Sequence, residues 1–137
     1  MSRRIGGVVA GMLVSFAVVF AAEAIGSRLY PPPPGTDMST PEGIRALAAE
    51  LPSGAFAFVV AGWLLAAGMG AWVAMRVARS ATLRPGIIVG AILLGATIYN
   101  LVTIPHPTWV VVAGVIGIPV LAYLAASLAR ASSTAGS

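Results

Sequence analysis

The sequence predicts an all-α membrane protein, a polytopic four-helix bundle with one short interfacial helix on its outer side. Two observations predict this class. Hydrophobic residues make up 58% of the 137 residues and charged residues 9%, with a mean hydropathy of +0.95. Four apolar runs are each close to the roughly 20 residues that a helix needs to cross a bilayer. The length suits one compact unit, so residues 1–137 are predicted to form a single transmembrane domain.

The four predicted spans cover about residues 5–25, 54–75, 86–104 and 108–129. Within lipid, the backbone must satisfy its own hydrogen bonds, so each run is predicted to be helical. The runs lack the alternation of apolar and polar residues that is typical of a barrel strand.

The outer loop, residues 26–53, is predicted to contain two ordered parts. The four prolines of residues 31–34 favour a stiff polyproline segment, which we interpret as a strap rather than a docking site for a partner. Residues 40–42 resemble a helix start, with Thr40 as the N-cap and Pro41 at the first helical position. The short helix that follows is amphipathic, with one apolar face formed by Ile44, Leu47, Ala48 and Leu51.

The arginines predict the orientation. Six of them fall on one side of a chain that crosses four times, and no acid joins them: Arg3, Arg4, Arg76, Arg79, Arg84 and Arg130. The positive-inside rule then places both termini in the cytoplasm. The all-arginine, alanine- and glycine-rich composition is associated with GC-rich bacterial genomes, so the predicted location is a bacterial inner membrane. One alternative remains, in which the first span is a signal peptide cut at residues 22–24.

Small residues recur at helical spacing inside the spans. Close backbone approach and van der Waals contact drive helix association in lipid, so these residues are predicted to be packing faces. We favour packing within the monomer over an interface with a second copy or with another membrane protein. The predicted packing residues are Gly7, Gly11, Gly62, Ala66, Gly70, Ala74, Gly86, Gly90, Gly95 and Gly117.

A few polar residues lie at similar depth near the outer ends of the spans. Glu23, Asn100 and His106 are candidates for one outer polar pocket, together with Tyr99 and Arg28. Ionisable groups inside a membrane are functional candidates, and Glu23 with His106 nearby would suit a cation or a proton. We favour a structural interpretation, in which Glu23 reaches water or pairs with Arg28.

The composition also argues against several classes of function. The absence of cysteine excludes disulfides and thiolate metal sites, and His106 is the single histidine. The basic residues form no stripe with interleaved aromatics, so no nucleic-acid partner is expected. The sequence lacks the usual catalytic motifs, and we expect no enzymatic activity, no metal and no cofactor.

Three short motifs resemble those of a loose group of short, uncharacterised four-helix bacterial membrane proteins. They are residues 23–26 followed by 30–32, residues 70–74 with Arg76, and Asn100 followed by 104–107 and Trp109. The resemblance covers most of the chain and implies the same architecture, but it implies no activity.

The expected function is that of an accessory or scaffolding subunit in the lipid bilayer, packing through small-residue helix faces. The alternative is a small oligomeric transporter or channel with the outer polar pocket at its mouth. A membrane enzyme comes third.

Overall fold

The computed structural model describes residues 2–136, and this part of the chain folds into five α-helices. Their bounds are α1 Ser2–Leu29, α2 Pro41–Glu50, α3 Ser53–Ala78, α4 Arg84–Thr103 and α5 Thr108–Ala135. Helices α1, α3, α4 and α5 are long and apolar enough to cross a membrane. The predicted fold class is confirmed, since four candidate spans and one short helix make up the multi-pass protein.

Helix α3 is the centre of the bundle, because it packs against α1, α4 and α5. Helix α4 also contacts both α1 and α5, whereas the described helices α1 and α5 make no close backbone contact with each other. The four spans therefore form a diamond in cross-section, with α3 and α4 on its short diagonal. Among the described residues, α2 makes no close backbone contact with any span.

Helices α1 and α3 run antiparallel, with small residues facing each other in register. A Cβ atom added at Gly7 would lie 2.5 Å from the carbonyl oxygen of Ala74, and one added at Gly11 would lie 2.5 Å from that of Gly70. These pairs advance by four residues along α1 and go back by four along α3. The two backbones are so close that a side chain at either position would overlap α3. Glycine is therefore required at both.

The next step of the same register is a hydrogen bond between the two helices. The Ser15 hydroxyl donates to the carbonyl oxygen of Ala66 at 2.9 Å, and both residues are fully buried. A serine in this position satisfies its own hydroxyl while keeping the small size that the contact requires. The spacing of glycine and alanine did not predict this role for Ser15.

Helices α4 and α5 repeat this arrangement on the other side of the bundle. A Cβ atom at Gly86 would lie 2.6 Å from the Ala126 methyl carbon, and one at Gly90 would lie 2.5 Å from that of Ala122. Gly95 differs from both, because it is exposed and no atom lies within 4 Å of where its Cβ would be.

The short helix α2 forms as its sequence predicts. Its N-cap is Thr40, whose hydroxyl accepts a hydrogen bond from the backbone N–H of Gly43 at 3.1 Å. Pro41 stands at the start of the helix, where its missing N–H costs nothing. Ala48 is buried, which shows that the predicted apolar face points toward the bundle.

The antiparallel packing gives the bundle two unlike ends. We call one the arginine-rich end, because the contacts of Gly7 with α3 and of Gly86 with α3 and α5 bring six arginines there: Arg3, Arg4, Arg76, Arg79, Arg84 and Arg130. We call the other the loop end. It carries the long loop with α2 and the short turn between α4 and α5, together with all four acids of the sequence.

Candidate functional site

A cavity of about 190 Å³ lies at the loop end, between α1 and α3 and beneath α2 with the loop before it. Its walls are mostly apolar, with Val19 from α1, Val59 from α3 and Leu47 from α2 among the residues that line it. The apolar face predicted for α2 therefore closes the top of this cavity. Ligand sites in proteins are usually concave and mostly apolar with a few polar groups; this cavity has that lining, but it is partly open and smaller than the roughly 300–1,000 Å³ of typical small-molecule sites.

Small residues at both ends of the cavity bring its walls together. At the bottom, a Cβ atom added at Gly62 would lie 2.7 Å from the Ala22 methyl carbon, so α1 and α3 are in direct contact there. At the top, the Tyr30 phenol lies over Gly54, where a Cβ atom would overlap its hydroxyl oxygen. The backbone N–H of Tyr30 donates to the Gly26 carbonyl at 2.8 Å, which holds the aromatic ring at the end of α1.

Glu23 is the one acid of the described chain that lines the cavity, and its side chain is also exposed at the rim. Ser27 lines the same wall, but its hydroxyl donates to the carbonyl of Ala24 at 3.0 Å. Glu23 forms no ion pair with Arg28 within the described residues. The reason is geometric, since five residues along a helix correspond to a rotation of about 140°.

His106 lies in the turn between α4 and α5, away from Glu23's wall. Its Nδ1 atom donates to the Ile104 carbonyl oxygen at 2.7 Å, which requires the proton on Nδ1. Its ring packs edge-on against Phe56, with centroids 5.6 Å apart, and lies 6.0 Å from the Trp63 ring. The imidazole therefore packs the turn against the end of α3. Trp63, which lines the cavity, lies between the imidazole and the cavity.

Asn100 and Tyr99 contribute through their backbone. The carbonyl oxygens of Tyr99 and Asn100 accept the Thr103 hydroxyl at 2.8 and 3.2 Å, and Asn100 also accepts the N–H of Ile104 at 2.9 Å. The Tyr99 side chain is 72% exposed and points out of the bundle. Neither residue lines the cavity. The structure thus divides the five candidate residues: Glu23 stands at the cavity, His106 at the turn, and Tyr99, Asn100 and Arg28 outside it.

The side chains at this site suit the binding of a small apolar group. Among residues 2–136 no group of three or more histidine, cysteine, aspartate or glutamate side chains could hold a metal ion. The cavity offers a mostly apolar surface with a carboxylate at its rim and a phenol at its top. This lining suits an amphipathic ligand whose apolar part contacts the walls and whose polar part meets Glu23 at the rim.

Some residues that line this cavity were not predicted as site residues, above all Leu47 and Leu51, which lie at its top. The signal for them was present, because both lie on the apolar face of the predicted amphipathic helix. The sequence did not indicate where that face would pack, which is over the gap between α1 and α3.

Comparisons of the chain with protein-family models, with curated proteins and with solved structures found no match.

Proposed function

We propose that the protein is a non-enzymatic accessory or scaffolding subunit of a membrane-protein assembly, located in a bacterial inner membrane with both termini in the cytoplasm. The interior of the bundle supports a structural role. Of the described residues, Ser15 and Thr97 are the polar ones that the bundle buries. The remaining buried side chains of the described residues are apolar, so a single bundle contains no continuous row of buried polar groups from one end to the other.

The observation that carries this proposal is the state of Gly95. The other nine predicted packing residues lie against another helix of the bundle. Gly117, for example, faces Leu64 of α3, and Ala66 and Ala74 are fully buried. Gly95 is exposed and its surroundings are open. Ala91 lies one turn before it and is also exposed, so α4 presents an outward face on which another helix can approach closely. We assign this face to a transmembrane helix of another membrane protein.

Site-specific photo-crosslinking in the native membrane tests the proposal. A photoreactive residue is placed at Ile92, which is 46% exposed and lies three residues before Gly95. A matched control is placed at Leu13 of α1, which is 66% exposed to lipid. We expect a discrete adduct with a different protein from position 92, none from position 13, and loss of the adduct in Gly95→Leu. An adduct of exactly two copies, or lipid adducts alone at both positions, would contradict the accessory role.

The alternative function, a small transporter or channel, is favoured by one observation, the carboxylate of Glu23 at the loop-end cavity. Transport would require a polar path that the single bundle does not offer, so several copies would have to build it between them. Proton and cation flux into proteoliposomes separates the two functions. We expect flux equal to that of protein-free vesicles, whereas flux that Glu23→Gln abolishes would establish the transporter.

A further inference from the structure

A second cavity, at the arginine-rich end, has a different chemistry. It is a cleft of about 1120 Å³ between the last turns of α3 and α5, and three arginines line it, Arg76, Arg79 and Arg130. No acid of the sequence is near, because all four lie between residues 23 and 50 at the loop end. No acidic side chain of residues 2–136 therefore pairs with the arginines of this cleft, and the partial negative charges at the carbonyl ends of α3 and α5 oppose their positive charge only weakly.

The structure holds the first of these arginines in place. The Arg76 guanidinium lies 5.3 Å from the centroid of the Trp72 ring, and its Nη1 atom donates to the Ser132 hydroxyl oxygen at 3.3 Å. That hydroxyl in turn donates to the carbonyl of Ala129 at 3.0 Å, so its oxygen is left to accept from the arginine. A guanidinium has five N–H donors, and most of those of Arg76 stay available to a ligand.

The second arginine ends its helix. The backbone N–H of Arg79 donates to the Met75 carbonyl at 3.0 Å, and Arg79 adopts the left-handed conformation with φ of 47°. This cap turns the chain, so that Ser80 follows along the wall of the cleft. On the opposite wall, Arg130 stands one turn after Ser127, whose hydroxyl has no hydrogen-bond partner among the described residues.

The depth of the cleft identifies what it meets in a membrane. Trp72 is 44% exposed and stands one turn before Arg76, and tryptophan rings are typical of the membrane interface. Helix α5 has 28 residues and a length of roughly 42 Å, well beyond a hydrocarbon core of about 30 Å, so its last turns lie outside the core. The arginines of the cleft then lie at the level of the lipid headgroups.

We propose that this cleft binds a phosphate group, and that in the membrane the phosphate belongs to an anionic phospholipid of the adjoining leaflet. Guanidinium groups match the oxygens of phosphate in pairs of parallel hydrogen bonds. The free hydroxyl of Ser127 adds a neutral donor. If these arginines only oriented the chain in the membrane, their exact positions at this end would not matter. Phosphate binding, in contrast, depends on the three arginines that line the cleft.

Native mass spectrometry of the full chain, released from non-ionic detergent, measures this binding. The probes are phosphatidylglycerol, phosphatidylcholine and inorganic phosphate. We expect one phosphatidylglycerol to be retained in preference to phosphatidylcholine. The double variant Arg76→Gln/Arg130→Gln should weaken its binding by about tenfold or more, because it removes charge-assisted hydrogen bonds to phosphate. The variant Arg76→Lys/Arg130→Lys keeps the charge and should show a smaller loss, since lysine lacks the planar fork.

The matched control is Arg3→Gln/Arg4→Gln, which removes two charges from the same end of the bundle but outside the cleft. We expect it to change phosphatidylglycerol binding by less than about twofold, as for other exposed charges. Equal weakening in the two glutamine variants would overturn the cleft in favour of a diffuse surface charge. Unchanged binding in the Arg76 and Arg130 variant would also overturn it. Displacement of the lipid by equimolar inorganic phosphate would overturn the lipid as the source of the phosphate.

Discussion

Gly70 and Gly95 are glycines in two neighbouring spans, but the space around Gly70 is filled and the space around Gly95 is open. A Cβ atom at Gly70 would overlap the Ser15 hydroxyl and lie 2.8 Å from the Gly11 carbonyl oxygen, whereas one at Gly95 would meet nothing within 4 Å. Gly70→Leu must therefore push α1 away from α3 and break the hydrogen bond from Ser15 to Ala66. Overpacking of this kind costs about 1–3 kcal/mol, and the lost bond adds about 0.6 kcal/mol.

Thermal unfolding in detergent, followed by tryptophan fluorescence, measures this difference. We expect Gly70→Leu to lower the midpoint by several degrees and Gly95→Leu to leave it unchanged. Equal midpoints for the two variants would contradict the packing of α1 on α3. Ser15→Ala isolates the hydrogen bond, because alanine keeps the small size, and should lower the midpoint by less than Gly70→Leu.

The loop helix α2 has one side-chain cap at its start. The Thr40 hydroxyl accepts the N–H of Gly43, and α2 has no close backbone contact with a span, so the cap and the apolar side chains of one face hold this helix. Thr40→Ala should cost α2 about 1 kcal/mol of stability. We expect amide hydrogen exchange in Pro41–Glu50 to rise about fivefold, while exchange in the spans stays constant.

The conservative variant Thr40→Ser supplies the control for this element, because serine offers the same oxygen. It should exchange like the parent protein. Exchange that rises to the same degree in α3 would show that α2 and the bundle unfold together, against the expectation from their few contacts.

The spans show what hydropathy can predict about an element and where it stops. Each predicted run lies within or close to the observed helix, but α1 and α5 extend beyond the runs 5–25 and 108–129, to Ser2–Leu29 and Thr108–Ala135. Hydropathy ends where polar side chains begin, at the headgroups, while backbone hydrogen bonds carry the helix further. Depth is therefore predictable, whereas the direction in which a side chain points around the axis is not.

That missing direction explains why the candidate site was predicted only in part. Glu23, Asn100 and His106 were placed at a similar depth, and the structure has all three at the loop end. Around the helix axes they diverge, because each faces a different neighbour: Glu23 faces the cavity and His106 faces Phe56. Which helices adjoin depends on the packing of the whole bundle, and hydropathy along the sequence does not predict it.

The two ends of the whole bundle differ in charge, and we expect this difference to determine how the protein inserts into the membrane. Six arginines without an acid occupy one end, whereas the loop end carries all four acids and the remaining two arginines, Arg28 and Arg45. Basic residues near spans are retained on the cytoplasmic side. The sequence has no cysteine, so single introduced cysteines report the side of each end without background. Suitable exposed positions are Ala49 in α2, Ala81 between α3 and α4, and Ala131 in α5.

We expect a membrane-impermeant maleimide to label Ala49→Cys in intact spheroplasts, and to label Ala81→Cys and Ala131→Cys after permeabilisation. The two positions at the arginine-rich end must behave alike, because an even number of spans separates them. Labelling of one without the other would contradict four crossings, and labelling of both in intact spheroplasts would reverse the orientation. In that case the arginine cleft would face the outer leaflet, so this experiment also determines which leaflet supplies its phospholipid.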